Sequence, residues 1–327
     1  MTRVDTAPTE RHGVNVPLKS EVLSLLERPL LDLVFEAAGA HRRHHDPRKI
    51  QCSQLLSIKT GGCSEDCGYC SQSAHSETAT EREALLSVER TMAAAQAAKT
   101  KGADRFCMGA AWRGVRNGEE FDRVLEMVEG VKAMGLETCV TLGELEEQHA
   151  ARLKAAGLDY YNHNLDTGRT HYEKVVTTHT FDDRLATLDA VRKAGIKVCS
   201  GGILGLGEGL EARAELLHEL ASLDPQPESV PINALVAVEG TPLAEEAPVD
   251  WSEIVAVIAA ARILMPKTVL RLSAGRAEMS EEAQALCFLA GANSVFLGEK
   301  LLTTANATPS RDAALFAKLG LEPLERE

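Results

Sequence analysis

Cys63, Cys67 and Cys70 stand at C-x3-C-x2-C spacing in the stretch SIKTGGCSEDCGYCSQS, residues 57–73. Thiolates are soft ligands, so three in one short loop can hold zinc or an iron–sulfur cluster. A structural zinc takes four protein ligands and a disulfide framework takes cysteines in pairs; three thiols fit neither. They suit a 4Fe–4S cube in which three irons carry cysteine and the fourth stays open to a chelating molecule. The other five cysteines, Cys52, Cys107, Cys139, Cys199 and Cys287, are scattered. A lone cysteine is most often a small buried apolar residue. Cys107, Cys139 and Cys199, however, fall near the middle of three separate strand-like segments, and Arg271 falls in another. If those faces point inward, a guanidinium there must meet an anion or a metal-bound sulfur, because an unpaired buried charge is costly.

The elements that must position these residues form a regular rhythm. Strand-like segments at 52–59, 104–110, 136–142, 159–164, 196–202, 229–236, 268–273 and 293–298 alternate with amphipathic helical ones at 87–101, 119–134, 144–156, 181–194, 209–222, 251–264 and 280–290. Gly102, Gly135, Gly157, Gly195 and Gly291 sit where helix C-terminal caps belong. Eight strands alternating with helices predict an α/β fold, a TIM-type (β/α)8 barrel. An open doubly wound sheet would want a G-x-G-x-x-G turn after its first strand, and neither 57–73 nor GGILGLGEG at 201–209 supplies it. The expected organisation is a mobile leader at 1–19, a helical segment at 20–49 broken near Pro29, and a barrel domain at 50–327 with a C-terminal helical tail. HRRHHDP at 41–47 reads as a cationic helix end or surface loop rather than a metal site.

Strand periodicity puts Arg105 and Cys107 on one face, Asn162 and Asn164 on one, and Ser229 and Asn233 on one, with Ser53 and Ser294 early in their strands. His163, between the two asparagines, is expected to face the other way. The loop follows the first strand, so its thiols belong to the barrel's C-terminal, catalytic face.

Bulk properties narrow the class. The 327 residues are 44% hydrophobic and 25% charged, a globular composition, and the net charge of -13 argues against nucleic acid as main partner. No apolar run reaches membrane-span length, and the N-terminus lacks the apolar core of a secretory signal, so a cytoplasmic chain with reduced thiols is expected.

The thiol loop after the first strand, with Tyr69 beside its last cysteine, resembles the radical S-adenosylmethionine enzymes. LLSIKTGGCSEDCGYCSQSAH, RFCMGAAWR, YYNHNLDT, AGIKVCSGGILGLGE, VPINALVAVEGTPL and LRLSAGR are further similar to the signatures of the biotin synthase family, in order and spacing, from about residue 20 to 320. That resemblance implies a 4Fe–4S cluster on Cys63, Cys67 and Cys70 that binds S-adenosylmethionine. It also implies a 2Fe–2S cluster on Cys107, Cys139, Cys199 and Arg271, with Ser53, Arg105, Ser229 and Ser294 around it. Tyr69, Asn164, Asp166 and Arg184 would contact S-adenosylmethionine. Asn162, Asn164, Asn233, Thr303 and Thr304 would contact dethiobiotin, into which sulfur is inserted to give biotin. A flavodoxin-type electron donor and a homodimer are the family's expectations. The family has no need of Cys52 or Cys287, which are left as packing residues. Two alternatives stay open from the residues: another radical S-adenosylmethionine enzyme lacking the deep cluster, and a zinc-binding barrel.

Overall fold

A computed structural model describes residues 10, 11 and 14–324, so the expected leader at 1–19 lies largely outside the described residues. Eight strands alternate with helices: β1 Lys49–Lys59, β2 Arg105–Ala110, β3 Glu137–Thr141, β4 Tyr160–Asn162, β5 Lys197–Cys199, β6 Ser229–Ala234, β7 Val269–Leu272 and β8 Ser294–Leu297. Each pairs in parallel with the next, and β8 pairs with β1, which closes the barrel. The helices longer than four residues are α1 Lys19–Leu26, α2 Leu30–His44, α3 Val88–Thr100, α4 Glu119–Ala133, α5 Glu147–Ala155, α6 Phe181–Lys193, α7 Leu210–Ser222, α8 Trp251–Leu264, α9 Glu281–Leu289 and α10 Pro309–Leu319. Proline separates α1 from α2 at residue 29, as its missing N–H and restricted predecessor require. All five glycines expected to stop helices adopt left-handed φ.

The alternation of each strand divides two cores. Outward residues such as Ile50, Cys52, Phe106, Met108, Val140, Tyr161, Val230, Leu270 and Val295 pack under the helices as one apolar layer, joined by Cys287 from α9. Inward residues form a different set, in which Cys107, Cys139, Tyr160, Cys199 and Phe296 cluster together. Barrel interiors are ordinarily filled by branched aliphatics. This one is polar and thiol-rich.

The helix end at 41–47 differs from the expected surface segment in one respect. Arg42, Arg43 and His44 are exposed, but His41 is buried, and burial next to Arg262 pulls its imidazole down to about 3. The cause is tertiary, since α2 packs along α8 and seats that face of the turn.

The fifth strand is shorter than the segment 196–202 because it breaks after Cys199 and resumes only at Gly202–Leu204. Opposite the break, β6 carries Pro231, which has no N–H to give a neighbour. The chain closes on it instead: a Cβ at Gly201 would lie 1.9 Å from the Pro231 carbonyl oxygen. Gly201→Ala is therefore expected to destabilise the barrel by about 3 kcal/mol, the upper range for overpacking, read as a fall in urea midpoint at unchanged slope.

Candidate active site

The loop leaves β1 through Gly61 and Gly62, whose φ values of 70° and 72° turn the chain across the barrel mouth. Its base is pinned by Cys63 N–H to Gln72 O at 2.9 Å and Ala74 N–H to Cys63 O at 2.7 Å. The second half is a tight turn, with Cys70 N–H donating to Cys67 O at 2.9 Å. Backbone N–H groups already point at sulfur: Glu65 donates to Cys63, and Gln72 and Ser73 donate to Cys70. Burial raises all three thiols above the ordinary cysteine range, most strongly Cys67. Three converging thiols, pre-aimed N–H donors and no fourth protein ligand fit a cluster with one open iron.

Below the loop lies a cavity of about 350 Å3, a size suited to a small-molecule ligand. Cys63, Cys67, Tyr69 and Cys70 line it from above; Cys107, Cys139 and Arg271 line it from within the barrel. Cys199 completes the lower set from beneath, fully buried. Register explains the convergence. Cys107 sits directly opposite Cys139 across β2 and β3, and Cys199 faces Asn162 across β4 and β5. Cys139 is hydrogen-bonded to both Cys107 and Cys199. Those contacts, aided by Arg271 and Arg105, hold the Cys107 and Cys199 thiols below the usual range despite burial, while Cys139, between two sulfurs that favour its protonated form, is pushed well above it.

Arg271 is 2% exposed and its guanidinium is anchored by neutral oxygens. Its Nε donates to Ser294 Oγ at 3.0 Å, and its Nη2 donates to Ser53 Oγ at 2.9 Å and Gln51 Oε1 at 3.2 Å. No carboxylate pairs with it among the described residues; the groups of potential negative charge that it faces are the Cys107 and Cys199 sulfurs, the kind of partner a buried cation needs. Arg105 is the contrast. Glu137 grips it at 2.8 Å and outweighs burial, raising its pKa, while the Tyr160 ring lies 3.6 Å from its central carbon. Its Nη1 also donates to Ser229 Oγ at 3.5 Å. The structure thus brings Ser53, Arg105, Ser229 and Ser294 around the thiols, and adds Gln51, Glu137, Tyr160 and Phe296, which sequence reasoning missed. Phe296 stacks 4.4 Å from Arg271. Only strand register reveals those four.

The remaining expected contacts line the same cavity. Asn162 Oδ1 accepts from Thr141 Oγ1 at 3.0 Å, and its Nδ2 reaches Asn164 Oδ1 at 3.1 Å and Cys199 Sγ at 3.4 Å. Asn164 Oδ1 also accepts the Gly201 N–H, and Asn233 is held by Gly202 O and the Ala274 N–H. Each amide keeps spare lone pairs or hydrogens, because an amide group offers two of each. Asp166 is the one non-glycine residue with positive φ among the described residues, at 65°. Such a residue is tolerated at some cost where the surroundings fix it. Here its backbone bonds Gly201 and Ile203, and its carboxylate takes Arg184 Nη2 at 2.9 Å. Arg184, one turn into α6, also donates to Tyr172 OH at 2.8 Å. Thr303 and Thr304 come from the segment after β8, and Thr303 is bonded to Ser71 of the thiol loop at 2.8 Å. His163 faces away from its two neighbouring asparagines, as expected: it is buried while Asn162 and Asn164 are half-buried, and its ring lies 6.4 Å from that of outward-facing Tyr161, although it still borders the cavity.

Comparison with known proteins follows the same lines. The radical SAM superfamily matches residues 57–220, and the Biotin and Thiamin Synthesis associated domain matches residues 231–322. The chain is 58% identical to the biotin synthase of Dechloromonas aromatica, over 98% of this chain and 96% of that one. It is 60% identical to the biotin synthase of Aromatoleum aromaticum, over 93% of each. Among solved structures, methylornithine synthase (PylB) superposes with a TM-score of 0.79 at 19% identity, over 94% of both chains, a likeness of fold alone.

Proposed function

The chain belongs to the biotin synthase family of radical S-adenosylmethionine enzymes, forming biotin from dethiobiotin, and we propose that its two thiol sets hold two different clusters for that reaction. Cys63, Cys67 and Cys70 would hold a 4Fe–4S cluster, and Cys107, Cys139, Cys199 and Arg271 a 2Fe–2S cluster. When bound, the first supplies the electron that cleaves S-adenosylmethionine to an organic radical, and the second supplies sulfur. One observation carries this reading: a single cavity runs from the loop thiols down to Cys107, Cys139 and Arg271, with Cys199 packed against the two strand thiols.

The chain's own residues then bind and enclose. Asn164 and Asn233 present amide donors and acceptors suited to the cyclic urea of dethiobiotin. Asn162, Thr303 and Thr304 would receive its carboxylate. Arg184, Asp166, Asn164 and Tyr69 would hold S-adenosylmethionine, Arg184 pairing with its carboxylate. Leu301 and Leu302, from the segment after β8, line the cavity and would cover a bound substrate against water that quenches a radical. Gly109 is part of that cover, since a Cβ there would lie 2.7 Å from Leu302 Cδ2.

Anaerobic turnover of the iron-loaded chain with dethiobiotin, S-adenosylmethionine and a reductant tests the reading. Biotin and 5′-deoxyadenosine are expected together, with iron and sulfide counts matching two cluster types. Deoxyadenosine without biotin, from a protein holding one cluster type, would favour a different radical enzyme.

We further propose a cytoplasmic homodimer reduced by a flavodoxin-type protein, with residues 20–49 and 50–327 as its helical segment and barrel domain. No helix among the described residues is long and apolar enough to cross a membrane. Leu31 and Phe35, one turn apart on α2 and 74% and 84% exposed, offer an apolar face for a second copy. Light scattering of the pure chain and its reduction by a flavin protein check these two points.

A further inference from the structure

The loop bearing the three upper thiols also bears Glu65 and Asp66, and both reach across to residues 177–179, just before α6. Asp66 Oδ1 accepts the backbone N–H groups of Thr177 at 2.9 Å and Thr178 at 3.2 Å, while the Thr177 hydroxyl donates to its Oδ2. The Asp66 N–H donates in turn to Thr178 Oγ1 at 3.2 Å. Beside it, the Thr178 hydroxyl lies against Glu65, and His179 Nδ1 is 2.5 Å from Glu65 Oε2. Arg113 Nε is 3.1 Å from Glu65 Oε1, and Arg113 Nη2 donates to Thr178 O at 3.0 Å. The Gly68 N–H donates to Val175 O at 2.8 Å, one step further along both segments.

Three facts give this lattice a role. Between Cys63 and Cys67 the loop has only Ser64, Glu65 and Asp66, so no apolar side chain shapes that half. The bonds pinning the loop's base involve Cys63, Gln72 and Ala74, and leave the Cys67 end to be fixed from elsewhere. Residues 177–179 lead straight into α6, capped by Thr180, and Arg184 sits on its first turn.

We propose that Asp66 is a positioning residue, a latch that holds the upper thiols in ligand geometry and in register with Arg184 before iron arrives. The proposal rests on the reading of the loop as a 4Fe–4S site. Backbone donors on a fixed segment order an ionised acceptor without metal, so the loop does not have to be organised by the cluster itself. Glu65, Glu144 and His179 could form a cation site by proximity, but Arg113 already supplies the cation there.

The test uses the iron-loaded full chain, with Asp66→Ala, Asp66→Asn and Thr178→Val beside the parent. Iron release to a ferrous chelator is followed anaerobically after reduction, with optical and paramagnetic signals separating the two clusters. Asp66→Ala is expected to release loop-cluster iron about tenfold faster or more, the scale of losing bonds to a charged acceptor. The deep cluster's signal and the far-ultraviolet spectrum should stay at parent values. Asp66→Asn, which keeps an acceptor for the two amides, should recover most of the loss, and Thr178→Val should fall between. Release rates matching the parent, or loss of both clusters in parallel, overturn the latch. A parent whose iron and spectra are unchanged by Cys67→Ala overturns the reading of the loop itself, and the latch with it.

Discussion

Replacing Cys67 by alanine is expected to abolish 5′-deoxyadenosine formation while leaving the lower cluster in place. Cys67 is the middle ligand of the upper set and is 8% exposed in its turn, with no nearby thiol to take over. Removing groups that merely support a metal ligand already costs 10–100-fold, so losing the ligand should exceed about a hundredfold. The lower thiols are reached from strands, and they interact with one another and with Arg105, Arg271 and Ser229 rather than with the loop. Chromatographic assay of deoxyadenosine, with iron counted per chain, decides the matter. Persisting deoxyadenosine and undiminished iron would show that the loop does not carry the cluster.

Cys139→Ala should divide the chemistry the other way. Biotin formation is expected to drop by more than about a hundredfold, while reductive cleavage of S-adenosylmethionine continues. Cys139 is the central thiol, hydrogen-bonded to Cys107 on one side and Cys199 on the other. Without it the two flanking sulfurs lose the thiol between them and face Arg105 and Arg271 across a gap. The upper loop is joined to other segments, so its iron should remain. Equal loss of one spectral type in Cys67→Ala and Cys139→Ala would contradict separate sites.

Much of this was readable from the chain because local pattern and tertiary environment agree. All eight strands fall within the segments marked by composition, except that β1 begins earlier, at Lys49. The three-thiol spacing needed no structure at all. What escaped was set across strands. Gln51, Glu137 and Tyr160 look like ordinary polar or aromatic residues until register puts them beside the thiols and arginines. The break after Cys199 depends on Pro231, some thirty residues away in sequence, although proline within a strand pattern was a usable signal. Asp66 carried no signal, since its partners arrive more than a hundred residues later.

The anchoring of Arg271 has a consequence for biogenesis. Its guanidinium is gripped by Gln51 and Ser53 near the first strand's start and by Ser294 on the last, residues that meet only when the barrel's ends join. A nascent chain on the ribosome exposes its first three thiols early, yet cannot present the lower centre until residue 297 has been released from the exit tunnel. On the proposed assignment, loading of that centre is a post-translational event, and a C-terminal truncation that removes the final strand is expected to delete it.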